Sequence, residues 1–454
     1  MLTLTWKAKN YKDMSLLYCR FVLPALASQL LSGVYTIVDG FFVGMAAGDA
    51  GLAAIGIAYP FTMVAIAAGA GIGVGGGALI STSIGRGRVK TAERVLACMV
   101  MLMVLASLLI SFAFSISLPN LISLFNVSEE LARLSTVYAL ILLLFSSTEV
   151  FMMGMLGAVR NDGYPRKAMY IMITGFVLNI ILDWILVLVF PFGVAGAAWA
   201  TVISQTVTAG LLFYHFLSGN SNVKLRFKNI WKSLAFSGKT ITMGISPFGV
   251  QVAAALTMIM HNWQSFAYGG ESAIAAYAVI SYVIPVGIML QEGVAEGIQP
   301  LISYYHGALL PARRRFTAKM GFSSSFGIGI ICSVLLFVSA PFIPGFFSMQ
   351  GSTAALVSRG LILASPMFPF LGLSKVGASY FQSIGQSGHS SFITYVDPFL
   401  ILPFFLWLLP TFWKLDGVWI SMVFANIALS AILMIIWFVE SKEVSFVSLA
   451  HRNF

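Results

Sequence analysis

The sequence predicts an all-α integral membrane protein with twelve transmembrane helices in two six-helix bundles related by a parallel internal repeat. Three observations support this fold class. Of the 454 residues, 59% are hydrophobic and 9% are charged, whereas about 25% are charged in a typical soluble domain. The apolar residues form blocks of about 20 to 30, each long enough to span a bilayer. Segments of the second half repeat those of the first half in one constant register, which pairs Gly48 with Gly270.

Apolar blocks define the individual spans. Only helices or closed barrels satisfy every backbone polar group inside hydrocarbon, and continuous apolar blocks favour helices over the short alternating segments of a barrel. We therefore predict six helices in each half. The first set covers residues 15–42, 52–83, 95–118, 131–157, 168–190 and 193–217, and the second covers 240–267, 272–304, 317–340, 354–384, 391–411 and 416–439.

Basic residues predict the orientation. An even number of spans places both termini on one side, and the segments of that side hold 21 of the 26 Lys and Arg residues. Cytoplasmic loops are enriched in these residues, so we expect a multi-pass protein of the plasma membrane, in bacteria the inner membrane, with both termini in the cytoplasm. The predicted segments are a cytoplasmic N-terminal segment (1–14), a first bundle (15–217), a cytoplasmic linker (218–239), a second bundle (240–439) and a cytoplasmic tail (440–454).

The net charge of +10 fits this orientation and contact with anionic lipids. Aromatic and basic residues do not alternate as they do in nucleic-acid-binding surfaces, so we expect membrane lipids and small molecules as partners and no nucleic acid. No exposed coiled coil or soluble domain is predicted, and we expect the protein to function as a monomer.

The repeat predicts a carrier. Its register aligns Gly48-Asp49 with Gly270-Glu271, and Gly71 and Gly75 with Gly293 and Gly297. Six spans then repeat in the same orientation, which is the parallel kind of repeat found in transporters. Two bundles that face each other suit alternating access better than a channel or an enzyme.

Motifs of common enzymes are missing from the sequence. No G-K-S/T, H-E-x-x-H or G-x-S-x-G occurs. Three cysteines do not form a disulfide framework, and the histidines lack metal-ligand spacing. We therefore predict no catalytic residues, no metal site and no cofactor.

Ionisable residues inside spans are functional candidates, because they are costly in lipid unless they pair or face water. Asp39 and Asp183 lie at similar depth in the outer half of spans 1 and 5, so they could share one pocket. Asn179 precedes Asp183 by one turn, and Thr201 on span 6 could approach the group. Two carboxylates in a low dielectric hold a proton or a small cation readily.

The second half carries a different set of charges at a cytoplasm-side depth. Glu292 and Glu296 lie one helical turn apart on span 8, near the predicted depth of Lys375 and Asp397. Lys375 could neutralise one acid and leave another free for a substrate cation, or the group could be a structural ion pair. Arg20 and Glu149 are expected to form a further, structural pair.

Several motifs resemble those of the multidrug and toxic compound extrusion family over essentially the whole chain. They are Pro24 and Gln29 followed by Val38–Gly44, then Asn179–Asp183, Gly196–Thr201, Gln299–Ser303 and Gly417–Trp419. The order and spacing of these motifs is more specific than any one of them.

The resemblance implies secondary active efflux of cationic, lipophilic drugs in exchange for protons or sodium. It implies that Asp39, Asp183, Asn179 and Thr201 form the cation site of the first bundle, and that protonation bends span 1 near Pro24. Gln29 is a further candidate for substrate contact. Some members use acids on spans 7 and 10, where this chain has Gln251, His261 and Lys375; this departure favours proton coupling through Asp39, with sodium as the alternative.

Two other functions stay open. A lipid-linked precursor flippase of the same superfamily would share the helices and the repeat, although it usually needs a strongly cationic cavity. An intramembrane enzyme would need clustered acids or a metal triad, which the sequence lacks.

Overall fold

The fold is built from helices. The computed structural model describes residues 11–125, 127–226, 230–347 and 349–450, and within these ranges every regular element is helical. The predicted all-α class is confirmed. The α-helices are α1 (Tyr11–Gly85), α2 (Val89–Ser123), α3 (Glu129–Leu144), α4 (Ser146–Asn161), α5 (Pro165–Asp183), α6 (Gly193–Leu217), α7 (Ile230–Ser233), α8 (Ser237–Gly307), α9 (Pro311–Ser339), α10 (Ile343–Phe346), α11 (Gly351–Ala364), α12 (Phe368–Ser383), α13 (Ser387–Val396) and α14 (Leu402–Ala450).

The described residues contain the predicted twelve spans. Nine helical stretches are long and apolar enough to cross a membrane, and α3 and α4, which meet at a bend of 53°, together make one more span. Two of the nine stretches, Trp231–Gly307 and Ser387–Phe438, contain a non-helical break, at Gly270 and Lys414. Each of these stretches therefore provides two spans.

The structure also shows the internal repeat. α1 and α8 are broken at Gly48 (φ 57°, ψ −153°) and Gly270 (φ 64°, ψ −156°), which are the residues that the sequence alignment pairs. Glycine enters this left-handed region without the steric cost that a side chain imposes. Four further helix pairs start in the same register, namely α2 with α9, α3 with α11, α4 with α12, and α5 with α13.

Equivalent glycines make reciprocal contacts. A Cβ added at Gly85 would collide with the carbonyl oxygen of Tyr304, and a Cβ added at Gly307 would collide with the carbonyl oxygen of Thr82. These two contacts are images of each other in the register of the repeat. The C-terminal ends of α1 and α8 thus contact each other through equivalent residues, as the two copies do in a two-fold interface.

Helix starts follow standard local signals. Ser128 caps α3, with its hydroxyl accepting a hydrogen bond from the Leu131 N–H at 3.4 Å. Glu129 and Glu130 in the first turn match the positive end of the helix dipole. α5 begins with Pro165, a residue preferred at the first helical position because it lacks the N–H that would have no partner there.

Packing divides the chain into two units, each with its own apolar core. In the first unit α1 packs against α2, α3, α4, α5 and α6. The predicted bundle boundaries at 15–217, 218–239 and 240–439 stay a prediction, and residues 1–10 and 451–454 of the predicted cytoplasmic ends lie outside the described residues. The first unit holds the described residues up to Val252 with Glu296–Ala318 and Gln382–Ser387; the second holds Ala253–Ala295, Lys319–Phe381 and the described residues from Gly388.

Candidate functional site

Asp183 lies in a polar cluster inside the first unit. Asp183 and Asn179, one turn apart on α5, are both fully buried. In the orientation of the Asn179 amide that satisfies both of its ends, its nitrogen donates to Asp183 Oδ2 at 2.8 Å and its oxygen accepts from the Thr201 backbone N–H at 3.3 Å. Thr201 itself is 6% exposed on α6. The structure thus brings three of the four predicted coupling residues together.

Asp39 joins this cluster from α1. Its carboxylate and that of Asp183 are close enough to repel each other. The hydroxyls of Tyr35 and Tyr138 lie within the electrostatic influence of both carboxylates. The predicted proximity of Asp39 and Asp183 therefore has a structural basis, with two tyrosines beside them that sequence reasoning did not identify.

Three oxygens of the cluster have unused hydrogen-bonding capacity. Asp39 Oδ1 and Asp183 Oδ1 are buried without a hydrogen-bond partner, and Thr201 Oγ1 has no partner other than the neighbouring Tyr35 hydroxyl. Buried polar atoms without a partner are rare in proteins and need an explanation. Carboxylate and hydroxyl oxygens are also the atoms that bind a proton or a hard cation.

A π-helical segment follows Asp183. The helix widens to the π form over Trp184–Val189, and a second π segment, Asp397–Ile401, begins at Asp397. Such segments are rare and often occur at functional sites, since they shift the direction of the side chains around them. In both spans the widening starts next to an intramembrane aspartate.

Pro24 and Gln29 lie nearer the start of α1. The helix continues through Pro24, whose carbonyl oxygen accepts a hydrogen bond from the Ser28 hydroxyl at 2.9 Å. Gln29 is half-buried ten residues before Asp39, about 15 Å along the helix axis. The structure therefore does not group Gln29 with the acidic cluster, and the bending role of Pro24 stays a prediction.

Glu149 has a different partner from the one predicted. Its Oε2 accepts a hydrogen bond from Gln205 Nε2, and the Gln205 Oε1 accepts one from the Thr148 hydroxyl at 2.9 Å. Arg20 is exposed on α1, and no ion pair joins it to Glu149 among the described residues, so the expected Arg20–Glu149 pair is wrong. Gln205 on α6 therefore provides the hydrogen bond to Glu149 Oε2. Because glutamine is neutral, no charge pattern in the sequence predicts it as a partner.

The second charge cluster is divided between two ion pairs. Lys375 Nζ lies 2.8 Å from Glu292 Oε1, as the sequence expected, and the Lys375 charge also attracts the Asp397 carboxylate. Glu296 is not free: its Oε2 lies 2.5 Å from Arg160 NH1. The sequence predicted the end of span 4 at residue 157 and counted Arg160 among the basic residues of the cytoplasmic side. α4 continues to Asn161, and the Arg160 side chain, 10% exposed, pairs with Glu296.

The loop after α4 holds a buried cluster that sequence reasoning missed. The Asp162 carboxylate accepts hydrogen bonds from His215 Nε2 at 2.9 Å and from the backbone N–H groups of Asn222 and Val223 at 3.1 and 3.0 Å. Lys167 Nζ donates to His215 Nδ1 at 3.0 Å, so the ring is neutral with its proton on Nε2. Burial raises the pKa of Asp162, while these hydrogen bonds oppose that rise. Through these hydrogen bonds the cluster attaches the first residues of the predicted linker, Asn222 and Val223, to Lys167 on α5 and His215 on α6.

Comparisons with known proteins agree with this description. The family model MatE matches residues 24–185 and 247–405, which lie in the two halves of the repeat. The "Multidrug export protein MepA" of Staphylococcus saprophyticus is 22% identical over 424 residues, with 93% of each chain covered. The protein of the same name from Staphylococcus aureus strain N315 is 22% identical over 426 residues, again with 93% of each chain covered.

Solved structures share the fold. An outward-facing "multidrug resistance MATE family transporter of the MOP superfamily" matches with a TM-score of 0.90 at 22% identity, covering 94% of this chain and 96% of that one. A "MOP superfamily transporter" from Pyrococcus furiosus, described with a binding pocket of reverse polarity, matches with a TM-score of 0.88 at 24% identity, covering 96% of each chain.

Twelve spans in two repeated halves describe a multi-pass membrane protein, and the family match with the multidrug export relatives shows that it is a transporter and not an enzyme. The family match covers more than half of the chain. The chain therefore belongs to the MatE family.

Proposed function

We propose that the protein is a secondary active multidrug transporter that exports cationic, lipophilic compounds in exchange for protons, by alternating access between its two bundles. The observation that carries the proposal is the buried carboxylate pair of Asp39 and Asp183, each with an oxygen that lacks a hydrogen-bond partner. The export of drugs is supported by the names of the relatives, and the coupling ion is inferred from the site.

The two carboxylates supply the exchange. When both are ionised they repel each other in a buried site, and one proton relieves this repulsion. Asn179 holds Asp183 Oδ2 in place through its amide, and each carboxylate keeps one free oxygen that can take up the proton. Proton binding removes a negative charge from the first bundle and weakens its attraction for a cationic substrate, so proton entry and drug release are linked.

Sodium is the alternative coupling ion. The unpartnered carboxylate oxygens of Asp39 and Asp183 and the nearby Thr201 hydroxyl are ligands of the type that hard cations prefer. Pro24 supplies the weak point at which α1 could respond to either ion, because proline removes one backbone hydrogen bond from a helix.

The second charge cluster has a less direct part in this proposal. Glu292 and Glu296 could act as counter-charges for a cationic substrate, but each carboxylate is already paired with a base. The substrate would have to replace Lys375 or Arg160. Normal export of cationic dyes by both Glu292→Gln and Glu296→Gln would exclude this role.

Dye efflux tests the main proposal. Ethidium export is measured in inverted or whole-cell preparations of the wild type and Asp39→Asn, with a proton gradient or a sodium gradient imposed separately. We expect proton-driven efflux that falls about 5- to 150-fold in Asp39→Asn, the range of typical coupling free energies. Glu130→Gln is the matched control, since Glu130 is an exposed acid at the start of α3.

Other outcomes redirect the proposal. Efflux driven by sodium alone would keep drug export and replace the coupling ion. Unchanged efflux in Asp39→Asn would remove the first-bundle site from the mechanism. A lack of export of any cation under both gradients would favour the lipid-linked precursor flippase.

A further inference from the structure

The first unit contains parts of both halves of the repeat. Besides the described residues up to Val252, it holds Glu296–Ala318 and Gln382–Ser387. These two segments are the ends of α8 and α12 with the starts of α9 and α13, and they pack into the unit that contains α1 to α6. All of these helix ends lie on the predicted cytoplasmic side of the chain. The two halves are therefore joined on that side, within the first unit.

Close backbone contacts between the halves follow the repeat. A Cβ added at Gly75 would collide with the backbone of Gly244, and a Cβ added at Gly297 would collide with the backbone of Val22. The register makes Gly75 equivalent to Gly297, and Gly244 equivalent to Val22. Like the reciprocal contacts at the ends of α1 and α8, these two contacts are images of each other.

Two polar contacts also cross between the halves. Asn161 Nδ2 donates a hydrogen bond to Gln299 Oε1 at 2.8 Å. The second contact is the ion pair of Arg160 and Glu296, with NH1 2.5 Å from Oε2. Arg160 and Asn161 are neighbours at the end of α4, and Glu296 and Gln299 lie three residues apart on α8. Both contacts therefore connect the same two helices.

The Asn161–Gln299 contact differs from the backbone contacts because the repeat gives it no image. The register pairs Gln299 with Gly77, which has no side chain to reach across, and Asn161 with Ser383. A Cβ added at Gly77 would collide with the Asn161 amide nitrogen. Glycine at this position leaves the space that the Asn161 amide fills, while the second half supplies the glutamine that the amide contacts.

Both amides keep a hydrogen bond within their own half. Asn161 Nδ2 also donates to the Gly157 carbonyl oxygen at 2.9 Å, and its Oδ1 accepts from the Ser81 hydroxyl at 2.7 Å. Gln299 Nε2 donates to the Ser303 hydroxyl at 3.2 Å. If the halves separate here, each amide nitrogen keeps an acceptor. Breaking the contact then costs one hydrogen bond and leaves no donor unpaired, which is the expensive outcome in a buried site.

The ion pair is also suited to reversible separation. The Glu296 side chain is 33% exposed, whereas that of Arg160 is 10% exposed. Charged groups within membrane spans face water or the interior of the bundle, so separation of the pair hydrates the carboxylate further. An ion pair with access to water is weaker than one buried on all sides, because the separated charges regain hydration. Both polar contacts between α4 and α8 can thus break and form again at modest cost.

We propose that the Arg160–Glu296 and Asn161–Gln299 contacts form a reversible latch, which holds the two halves together while the transporter is closed to the cytoplasm. When the transporter opens to the cytoplasm, α4 and α8 separate at these residues. The hydrogen bonds that each amide makes within its own half persist. This inference rests on the proposed alternating access and names the contacts that one of its two states requires.

The test is a distance measurement by double electron–electron resonance. Nitroxide labels are attached to the variant Lys90→Cys with Ala312→Cys, in full-length protein that lacks the native cysteines and is reconstituted in nanodiscs. Lys90 and Ala312 are exposed, lie at the starts of α2 and α9, and are equivalent in the repeat. With ethidium added, we expect a short distance from the closed state and a long distance from the open state.

Weakening the latch should raise the ratio of the long to the short distance. We expect Glu296→Gln to raise it about tenfold, the low end for a hydrogen bond to a charged group, because Glu296 is partly exposed. Gln299→Met, which keeps the size of the side chain, should raise it about 2- to 10-fold. Arg359→Gln is the matched control, since it removes an ion pair to Asp416 within the second half and should leave the ratio unchanged.

An unchanged ratio in both Glu296→Gln and Gln299→Met would overturn the inference, even if both variants unfold at lower temperature, because a static contact contributes to stability alone. If these variants do not fold, Ser81→Cys in the protein without native cysteines gives a second test. Ser81 is fully buried beside Asn161, and the latch predicts faster reaction of this cysteine with a maleimide during ethidium transport. A cysteine that stays unreactive with and without ethidium would also overturn the inference.

The two proposals fail in different ways. If the wild type shows both distances and the two latch variants keep its ratio, the latch is wrong and alternating access stands. If the wild type shows a single distance with and without ethidium, while ethidium efflux proceeds, the proposed alternating access is wrong.

Discussion

The two halves of the chain share a scaffold and differ in chemistry. Both long helices break at a glycine with nearly the same backbone angles, and four further pairs of helices begin at positions that the repeat makes equivalent. Yet Asp39 is matched by His261, Arg160 by Gln382, and Ser128 by Gln350. At Gly85 and Gly307, where a Cβ would collide with a backbone carbonyl, both halves keep glycine, whereas positions that hold ions or hydrogen bonds can differ, because each half can satisfy them in its own way.

The largest expected effect concerns the contacts that the halves share. Gly85→Ala and Gly307→Ala place a Cβ against the carbonyl oxygens of Tyr304 and Thr82. Overpacking of this kind costs about 1–3 kcal/mol of the free energy of unfolding, occasionally more, and we expect the upper end of this range because the Cβ meets backbone and not a flexible side chain. Because the contacts are reciprocal, we expect similar losses from both variants, measured as the midpoint of thermal unfolding in detergent.

Gly210→Ala and Gly327→Ala are the matched controls, since a Cβ there meets nothing within 4 Å. Alanine in a helix is about 0.5–1 kcal/mol more favourable than glycine, so these two variants should be unchanged or more stable. A large loss from only one of Gly85→Ala and Gly307→Ala would show that the two contacts are not equivalent.

An intermediate effect is expected where the halves diverge. Glu296→Gln leaves the Arg160 guanidinium without its carboxylate, at a cost of about 1.5–3 kcal/mol for a hydrogen bond to a charged group. Gln382 Nε2 donates to the Met243 carbonyl oxygen at 2.9 Å, and Gln382→Ala should cost about 0.5–1.5 kcal/mol. The comparison is made by denaturant or thermal unfolding of the purified variants.

Arg359→Ala is the reference for the Arg160–Glu296 ion pair. The Arg359–Asp416 bridge is largely exposed, and such bridges contribute about 0–1 kcal/mol to the free energy of unfolding. The double variant Arg160→Gln with Glu296→Gln should lose less than the sum of the two single variants, since they share one interaction. Strict additivity would contradict the assignment of the ion pair.

The smallest effect concerns a helix cap. Ser128→Ala removes the side-chain cap of α3 and should cost about 0.5 kcal/mol, the low end of the range for helix caps, because the cap is exposed and its hydrogen bond is 3.4 Å long. Gln350, at the equivalent position before α11, makes no side-chain cap hydrogen bond, so Gln350→Ala should leave the unfolding midpoint unchanged. Equal losses at both positions would contradict this difference.

The sequence predicted the scaffold well, since apolar blocks must form helices in lipid and a constant register reveals a repeat. It also predicted that Asp39 and Asp183 lie near each other, because depth along a span follows from the residue count. The partner of Arg160 was not predicted, because hydropathy marks the end of an apolar window and not the end of the helix, which for α4 is Asn161.

Partners that are neutral or distant in sequence could not be predicted. Gln205 accompanies Glu149 from 56 residues away, and His215 accompanies Asp162 from 53 residues away. A sequence pattern reveals a pair when two residues of opposite charge lie three or four positions apart on one helix. Neither of these pairs meets that condition.

Proton release on substrate binding tests the central claim most directly. Purified protein in weakly buffered detergent solution is mixed with ethidium while a pH indicator records the protons released by the wild type, Asp39→Asn and Glu130→Gln. We predict release from the wild type and Glu130→Gln, and fewer protons from Asp39→Asn, because the buried carboxylate exchanges its proton for the cation. Binding of ethidium without proton release, or equal release from Asp39→Asn, would contradict proton coupling through the first-bundle carboxylates.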